Sequence, residues 1–166
     1  MRSPRQASDW VLRPTTDEDV ECVMRWFPDA RSVKIWGGPG FRYPFTATTF
    51  REDCRIDGMA SYSLYNPEGE LAAFGQSYER DGRGHLARLV SRPDLRGTGA
   101  GKRLIAMINA VLEAGRGYDE YSLFVYRHNE PAIRCYLASG FVVRDYPDDA
   151  PLRDQCYFLT KRRRKP

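Results

Sequence analysis

The chain of 166 residues predicts an α/β protein of the α+β kind, with a mixed, mostly antiparallel central sheet of about seven strands flanked by about four helices. Three observations carry that expectation. Two apolar runs, Met59 to Tyr65 and Leu71 to Tyr78, are separated by Asn66-Pro67-Glu68-Gly69-Glu70, a hairpin connection with proline and glycine in turn positions. A second turn, Glu79-Arg80-Asp81-Gly82-Arg83-Gly84, returns the chain into the run Leu86 to Val90, so three consecutive strands are antiparallel. Helical spacing of Leu104, Ile105, Ile108, Val111 and Leu112 then precedes the next strand, Tyr121 to Tyr126, which makes that strand parallel to Leu86 to Val90.

The remaining elements follow in order. Trp10-Val11-Leu12 is a short first strand that ends at Arg13-Pro14. Thr15-Thr16-Asp17-Glu18-Asp19 supplies a hydroxyl cap and early carboxylates to a helix carrying Val20, Val23, Met24 and Phe27, which Pro28 stops. From Asp29 to Pro44 the chain reads as a loop in which Trp36, Phe41 and Tyr43 either cap the core or line a pocket. A second helix is expected between Thr46 and Ile56, closed by Gly58. The third helix runs from about Gly101 to Ala114. Asn129-Glu130-Pro131 opens the fourth, with Ile133, Tyr136 and Leu137 on one face and Gly140 at its end. Phe141 to Tyr146 and Gln155 to Thr160 complete the sheet around the acidic connection Pro147-Asp148-Asp149-Ala150-Pro151.

Length and composition fit one globular domain over residues 1–166, without repeats or low-complexity tracts. No apolar run is long enough to cross a membrane and no secretory signal opens the chain, so a cytoplasmic location is expected. Cys22, Cys54, Cys135 and Cys156 are scattered without a Cys-x-x-Cys pair and read as buried thiols of a reducing compartment, with no metal site. The net charge of +4 resides in the terminal run Lys161-Arg162-Arg163-Arg164-Lys165 of the basic tail 161–166. The rest is nearly neutral, so that run reads as the solvated end of the last strand before it reads as a nucleic-acid arm.

Between the strand Leu86 to Val90 and its following helix lies Arg96-Gly97-Thr98-Gly99-Ala100-Gly101-Lys102. A glycine-rich turn opening a helix aims several N–H groups at one spot, where the helix dipole is also positive, and this attracts phosphate. The same glycines can serve a plain chain reversal. A dinucleotide fingerprint needs Gly-x-Gly-x-x-Gly near the first strand, and a P-loop needs four residues before Gly-Lys followed by Ser or Thr. Gly97-x-Gly99-x-Gly101-Lys102-Arg103 meets neither.

The whole pattern resembles the GNAT family of N-acetyltransferases. Arg96 to Gly101 matches that family's Arg/Gln-x-x-Gly-x-Gly/Ala turn, preceded by a proline-containing approach, Arg92-Pro93-Asp94-Leu95. Asn129-Glu130-Pro131-Ala132-Ile133, with Tyr136 and Gly140-Phe141, is similar to its second signature. The resemblance spans essentially the whole chain and implies a sheet that splays between strands 4 and 5, with acetyl-coenzyme A in the opening. It implies that Arg96, Gly97, Thr98, Gly99, Ala100, Gly101 and Lys102 hold the pyrophosphate, that backbone at Leu89, Val90 and Ser91 pairs with the pantetheine arm, and that Asn129 hydrogen-bonds it. Tyr136 stands where the family often has a general acid for the leaving thiolate; the alternative is a core aromatic.

For a base, His85 and Glu79 are candidates and His128 a third, each alternatively an exposed turn residue. The family often places an acid further along the central strand, whereas Leu86 to Val90 holds Arg88 and no carboxylate. The acceptor is expected to be an amine of a small molecule, peptide or protein, walled by Asp29 to Pro44 with Trp36, Phe41 and Tyr43, by the second helix and by Tyr146 to Pro151. A non-catalytic acyl-coenzyme A sensor or interaction domain is the alternative. The expected assembly is a monomer or homodimer, without a membrane or nucleic-acid partner.

Overall fold

The computed structural model describes residues 9–164. Lys165 and Pro166 of the basic tail lie outside the described residues, whereas Lys161 and Arg162 belong to the last strand. Seven strands form one sheet: β1 (Val11–Pro14), β2 (Ala60–Tyr65), β3 (Leu71–Arg80), β4 (Arg83–Ser91), β5 (Glu120–Tyr126), β6 (Val142–Arg144) and β7 (Cys156–Arg162), in the order β1-β2-β3-β4-β5-β7-β6. Every neighbouring pair is antiparallel except β4 and β5, which are parallel as the intervening helix requires. Pro14 is accommodated because β1 is an edge strand, where a missing N–H leaves no ladder bond unmade.

Five α-helices flank the sheet, one more than the sequence predicts: α1 (Asp17–Met24), α2 (Ala30–Gly37), α3 (Ala47–Asp53), α4 (Ala100–Ala114) and α5 (Glu130–Ala138). The addition is α2, inside the segment expected as a loop. Its start is coded by a capping box: the Asp29 carboxylate accepts from the Ser32 amide at 2.8 Å, and the Ser32 hydroxyl approaches the Asp29 amide at 3.4 Å. Val33 and Trp36, three apart, give it an inward face, and Gly38 at φ +95° ends it. Density of glycine and aromatics after Trp36 obscures these short signals. Thr16 with Asp19 and Thr46 with Thr49 cap α1 and α3 in the same manner.

Helix α4 covers one face of the sheet, where Leu104, Ile105 and Ile108 pack with Leu64, Ala73, Leu86, Leu123 and Leu159, all at most 1% exposed. Helices α1, α2 and α3 cover the other face around Val23, Val33, Phe50 and Phe74. The β3–β4 hairpin is tighter than its sequence suggests. Arg80 pairs with Arg83, so the turn narrows to Asp81-Gly82 with φ of +50° and +75°, values that Asp-Gly tolerates and that match strand twist. Glu79 and Arg80 are therefore strand residues, and adjacent ones face opposite sides.

A bulge interrupts β3–β4: Phe74 pairs with Val90 and Gln76 with Ala87, leaving Arg88 and Leu89 opposite Gly75. Arg88 takes φ +49° there, and its carbonyl accepts a 2.8 Å hydrogen bond from Trp36 Nε1. Gly75 is required by packing, since a Cβ would stand 2.6 Å from Leu89 Cδ2, 3.1 Å from Ile108 Cδ1 and 3.2 Å from Leu104 Cδ2. Three side chains from two elements cannot retreat together. Gly75→Val is expected to cost about 1–3 kcal/mol of unfolding free energy, measured by denaturant titration.

Candidate active site

The two parallel strands part almost as soon as they meet. Only Gly84 with Tyr121 and His85 with Ser122 are in register, and an ion pair between Arg83 and Glu120 clasps that end. Beyond it, β4 keeps its pairing with β3 through Ser91, and β5 keeps its pairing with β7 through Tyr126. Each strand thus turns an unpaired row of N–H and C=O groups toward the other, which forms a slot suited to an extended ligand with amide groups. Leu89, Val90 and Ser91, all half-buried, lie on this free edge.

The turn opening α4 stands at the open end of β4. Gly97 and Gly99 adopt φ of +80° and +86°, the conformation that favours glycine, and Gly99 is the N-cap without a side-chain hydrogen bond. The Arg103 amide bonds the Gly99 carbonyl at 3.1 Å, so the amides of Ala100, Gly101 and Lys102 before it are the orphan donors of this helix. Gly101 is there for space: a Cβ would lie 3.3 Å from Cys135 Sγ and 3.7 Å from Ser91 Oγ, the near wall of the turn. Arg96, Thr98 and Lys102 are exposed around this concentration of donors.

Asn129 is the N-cap of α5, yet its side chain makes no capping bond, and Glu130-Pro131 begins the helix instead. Tyr136, half-buried on α5 with Phe141 6.5 Å away, has no hydrogen-bond partner for its hydroxyl among the described residues. Desolvation, and then neighbouring Cys135, push its phenol well above the ordinary tyrosine range. It stays protonated at neutral pH and can donate.

On the opposite face from α4, His85 lies beside the last registered pair of the splay. Gly84 points toward Leu112 of α4, so His85 must point away from it. The ring is 2% exposed, 5.0 Å from Tyr78 and 5.1 Å from Phe124, with Nδ1 2.8 Å from Ser122 Oγ. Burial, and secondarily Arg80, lower its pKa to about 3. The imidazole is neutral; in the tautomer whose Nδ1–H donates to Ser122 Oγ, Nε2 is the acceptor, and in the other Ser122 donates and Nε2 carries the hydrogen. Glu79 is one residue out of phase, on the α4 face, in an ion pair with Arg116. The structure does not bring it to this face. Exposed His128 stacks on Tyr126 at 5.4 Å.

The aromatics of the α2 region are distributed unequally. Trp36 and Phe41 belong to the cluster with Phe27, Phe50 and Phe74, where Trp36 also holds the Arg88 carbonyl. Tyr43 is 40% exposed and donates to the Pro28 carbonyl at 3.2 Å. Across the face, Tyr146 packs on Phe124 and donates to the Pro151 carbonyl, and Arg80 lies over Phe124 at 5.2 Å. Sequence reading passed over Ser122, Phe124 and Arg80. The Asp81-Gly82 turn signal could have exposed Arg80, because it fixes the register of the strand end.

A cavity of about 390 Å³ between α1 and α3, lined by Asp17, Val20, Glu21, Met24, Ala47 and Arg51, shares no residue with the slot. Among the described residues no three His, Cys, Asp or Glu side chains are grouped to hold a metal, and no helix is long and apolar enough to cross a membrane.

Comparison with known proteins agrees with this geometry. Residues 23–141 match the model of the acetyltransferase (GNAT) family. The fold is similar to aminoglycoside acetyltransferase AAC(6')-Ib solved with paromomycin and acetyl-coenzyme A, at TM-score 0.74 and 20% identity over 93% of this chain and 94% of that one. It is also similar to the PaiA N-acetyltransferase of Thermoplasma acidophilum solved with coenzyme A, at TM-score 0.67 and 18% identity over 93% and 99%. A spermidine N-acetyltransferase chimera from Vibrio cholerae and hSSAT aligns at TM-score 0.68 and 12% identity over 93% and 96%.

Burial of neutral His85 has a thermodynamic signature. Its folded pKa of about 3 lies below the ordinary 6.5, so the unfolded chain binds the extra proton. Stability is complete above pH 6.5 and falls as pH drops toward 3, with this residue contributing a slope of up to about 1.4 kcal/mol per pH unit. Denaturation series across that window in wild type and His85→Gln should show the slope reduced in the variant.

Proposed function

The chain belongs to the acetyltransferase (GNAT) family, and from that premise we propose how its residues hold acetyl-coenzyme A and move protons as acetyl passes to an amine. As a member it is an acetyl-coenzyme A-dependent N-acetyltransferase. The observation that carries the residue assignment is the slot between β4 and β5, closed at Gly84 and open toward the α4 turn. A pyrophosphate fits the orphan amides of Ala100, Gly101 and Lys102, with Gly97, Gly99 and Thr98 shaping the approach and Arg96 and Lys102 adding charge. An amide-bearing pantetheine arm fits the free edge at Leu89, Val90 and Ser91, and the uncapped Asn129 side chain supplies a further polar contact.

Acetyl-coenzyme A supplies an activated thioester. The chain supplies proton control on its two sides. Tyr136, protonated and without a protein partner for its hydroxyl, gives its proton to the departing thiolate. His85, with Nδ1 tied to Ser122, presents Nε2 to take the proton of the attacking amine, directly or through a water. Its low pKa makes it a weak base, so the amine must shed its first proton before it binds. Glu79, on the α4 face, has no part in this scheme. The acceptor lies on the aromatic face, walled by Trp36, Phe41 and Tyr43 through the α2 region and by Tyr146 to Pro151 opposite.

The free state of all four cysteines fits a cytoplasmic enzyme. A monomer or homodimer suffices, because the proposed groups all come from one chain. The sensor reading loses ground to the presence of a protonated Tyr136 and a neutral, buried His85, two proton-handling groups that binding alone does not require.

Two substitutions separate binding from chemistry. Gly99→Val places a branched side chain at φ +86° and should abolish acetyl-coenzyme A binding in calorimetric titration of the folded variant. Tyr136→Phe should lower kcat by about 10²-fold while leaving acetyl-coenzyme A affinity nearly unchanged; unchanged turnover removes its role.

A further inference from the structure

Arg80 has more donors than partners. Its side chain is 22% exposed, and none of its guanidinium N–H groups makes a hydrogen bond among the described residues; Nε is buried outright. The nearest carboxylates, Asp81 at 3.9 Å and Asp149 at 3.8 Å, are beyond hydrogen-bond distance and mostly exposed, so water and salt screen them. A largely buried guanidinium with unmade hydrogen bonds is costly unless something completes them. Its position tells what does. Arg80 lies over the Phe124 ring at 5.2 Å, and His85, the proposed base, lies 5.1 Å from the same ring.

Three other carboxylates are already engaged. Asp148 is bonded by Arg153 at 2.8 Å, and Asp53 and Glu52 are bridged by Arg42 at 2.9 Å and 2.7 Å. A polycationic acceptor would meet arginines at those three positions, and Arg80 beside the solvent-screened Asp81 and Asp149. What the floor offers instead is apolar area, with Tyr78 38% exposed and Phe124 half-buried, beside the vacant donors of Arg80; Arg88, whose Nε is also unpartnered, has its terminal nitrogens engaged by Gln76 Oε1 and the Asp53 carbonyl.

We propose that Arg80 anchors a carboxylate on the acceptor, so that the substrate is an amino acid with an apolar or aromatic body, its amine toward His85 and its carboxylate on the guanidinium. This rests on the N-acetyltransferase reading and on His85 marking the amine position. The planar fork of arginine matches two carboxylate oxygens, and the stack on Phe124 holds that fork in place before binding. The reaction itself is unchanged: the amine nitrogen bonds the acetyl carbon, the carbon–sulfur bond breaks, and thiol and amide leave.

The test uses the full chain and acetyl-coenzyme A, following thiol release with apolar and aromatic L-amino acids, their carboxamides, O-phosphoethanolamine and spermidine. Expected is a kcat/KM for at least one amino acid about tenfold or more above its carboxamide. Arg80→Gln should collapse that ratio toward one, and Arg80→Lys should restore part of it. Acetyl-coenzyme A affinity and thermal midpoint, measured on both variants, certify the fold. Preference for spermidine, for phosphoethanolamine or for the carboxamides overturns the carboxylate assignment and leaves the acetyltransferase reading intact, as does a ratio indifferent to Arg80. Acetyl-coenzyme A binding without thiol release in response to any of these amines overturns both.

Discussion

Everything in this protein that can do chemistry depends on two parallel strands that fail to stay together. Hydrogen bonding would ordinarily draw β4 and β5 into a continuous ladder, yet they share register only at Gly84–Tyr121 and His85–Ser122. The divergence has visible supports. The bulge opposite Gly75 increases the local twist of β4, Trp36 holds the bulged carbonyl from one side, and Leu89 presses into the space that glycine leaves on the other. On the far bank, β5 is fully paired with β7 and has no need of a second partner. Unpaired backbone normally destabilises a sheet; here a ligand that carries amides can satisfy it.

Electrostatics on the two sides of that opening are opposite in kind. At the α4 turn, charge is diffuse and supplied by backbone amides, a helix dipole and exposed Arg96 and Lys102, which suits a mobile, highly charged group entering from water. On the aromatic face it is local and dry. His85 is kept neutral by burial, and Arg80 keeps its charge because a guanidinium does not lose its proton; Tyr136, packed with Phe141 on the α4 side, is kept protonated by desolvation. Proton donors and acceptors are thus fixed in state by how deeply each is buried.

The architecture was legible because it is written in turn chemistry. Asn66 to Glu70 and the Asp81-Gly82 pair announce two hairpins, and the apolar spacing of α4 forces the one parallel pair. The glycine turn was legible for the same reason, since Gly97 and Gly99 occupy backbone conformations that side chains avoid. Helix α2 escaped because it is short and its capping box is Asp with Ser, a weak sequence signature beside Gly37, Gly38 and Gly40. Faces were harder still. Whether Glu79 or Arg80 meets Phe124 hinges on a single step of strand register, and sequence alone placed both in a turn. Ser122 carries no signal at all, since its importance lies in being opposite His85 across two strands distant in the chain.

The clasp of Arg83 on Glu120 gives the opening a floor. Such a space acts as a depth gauge. In the proposed arrangement, the reactive tip of the donor would come to rest at a place set jointly by the stop and by the anchor at the α4 turn. Under that proposal, selectivity for the transferred group would reside in the distance between two ends of one strand, a property that no individual side chain encodes.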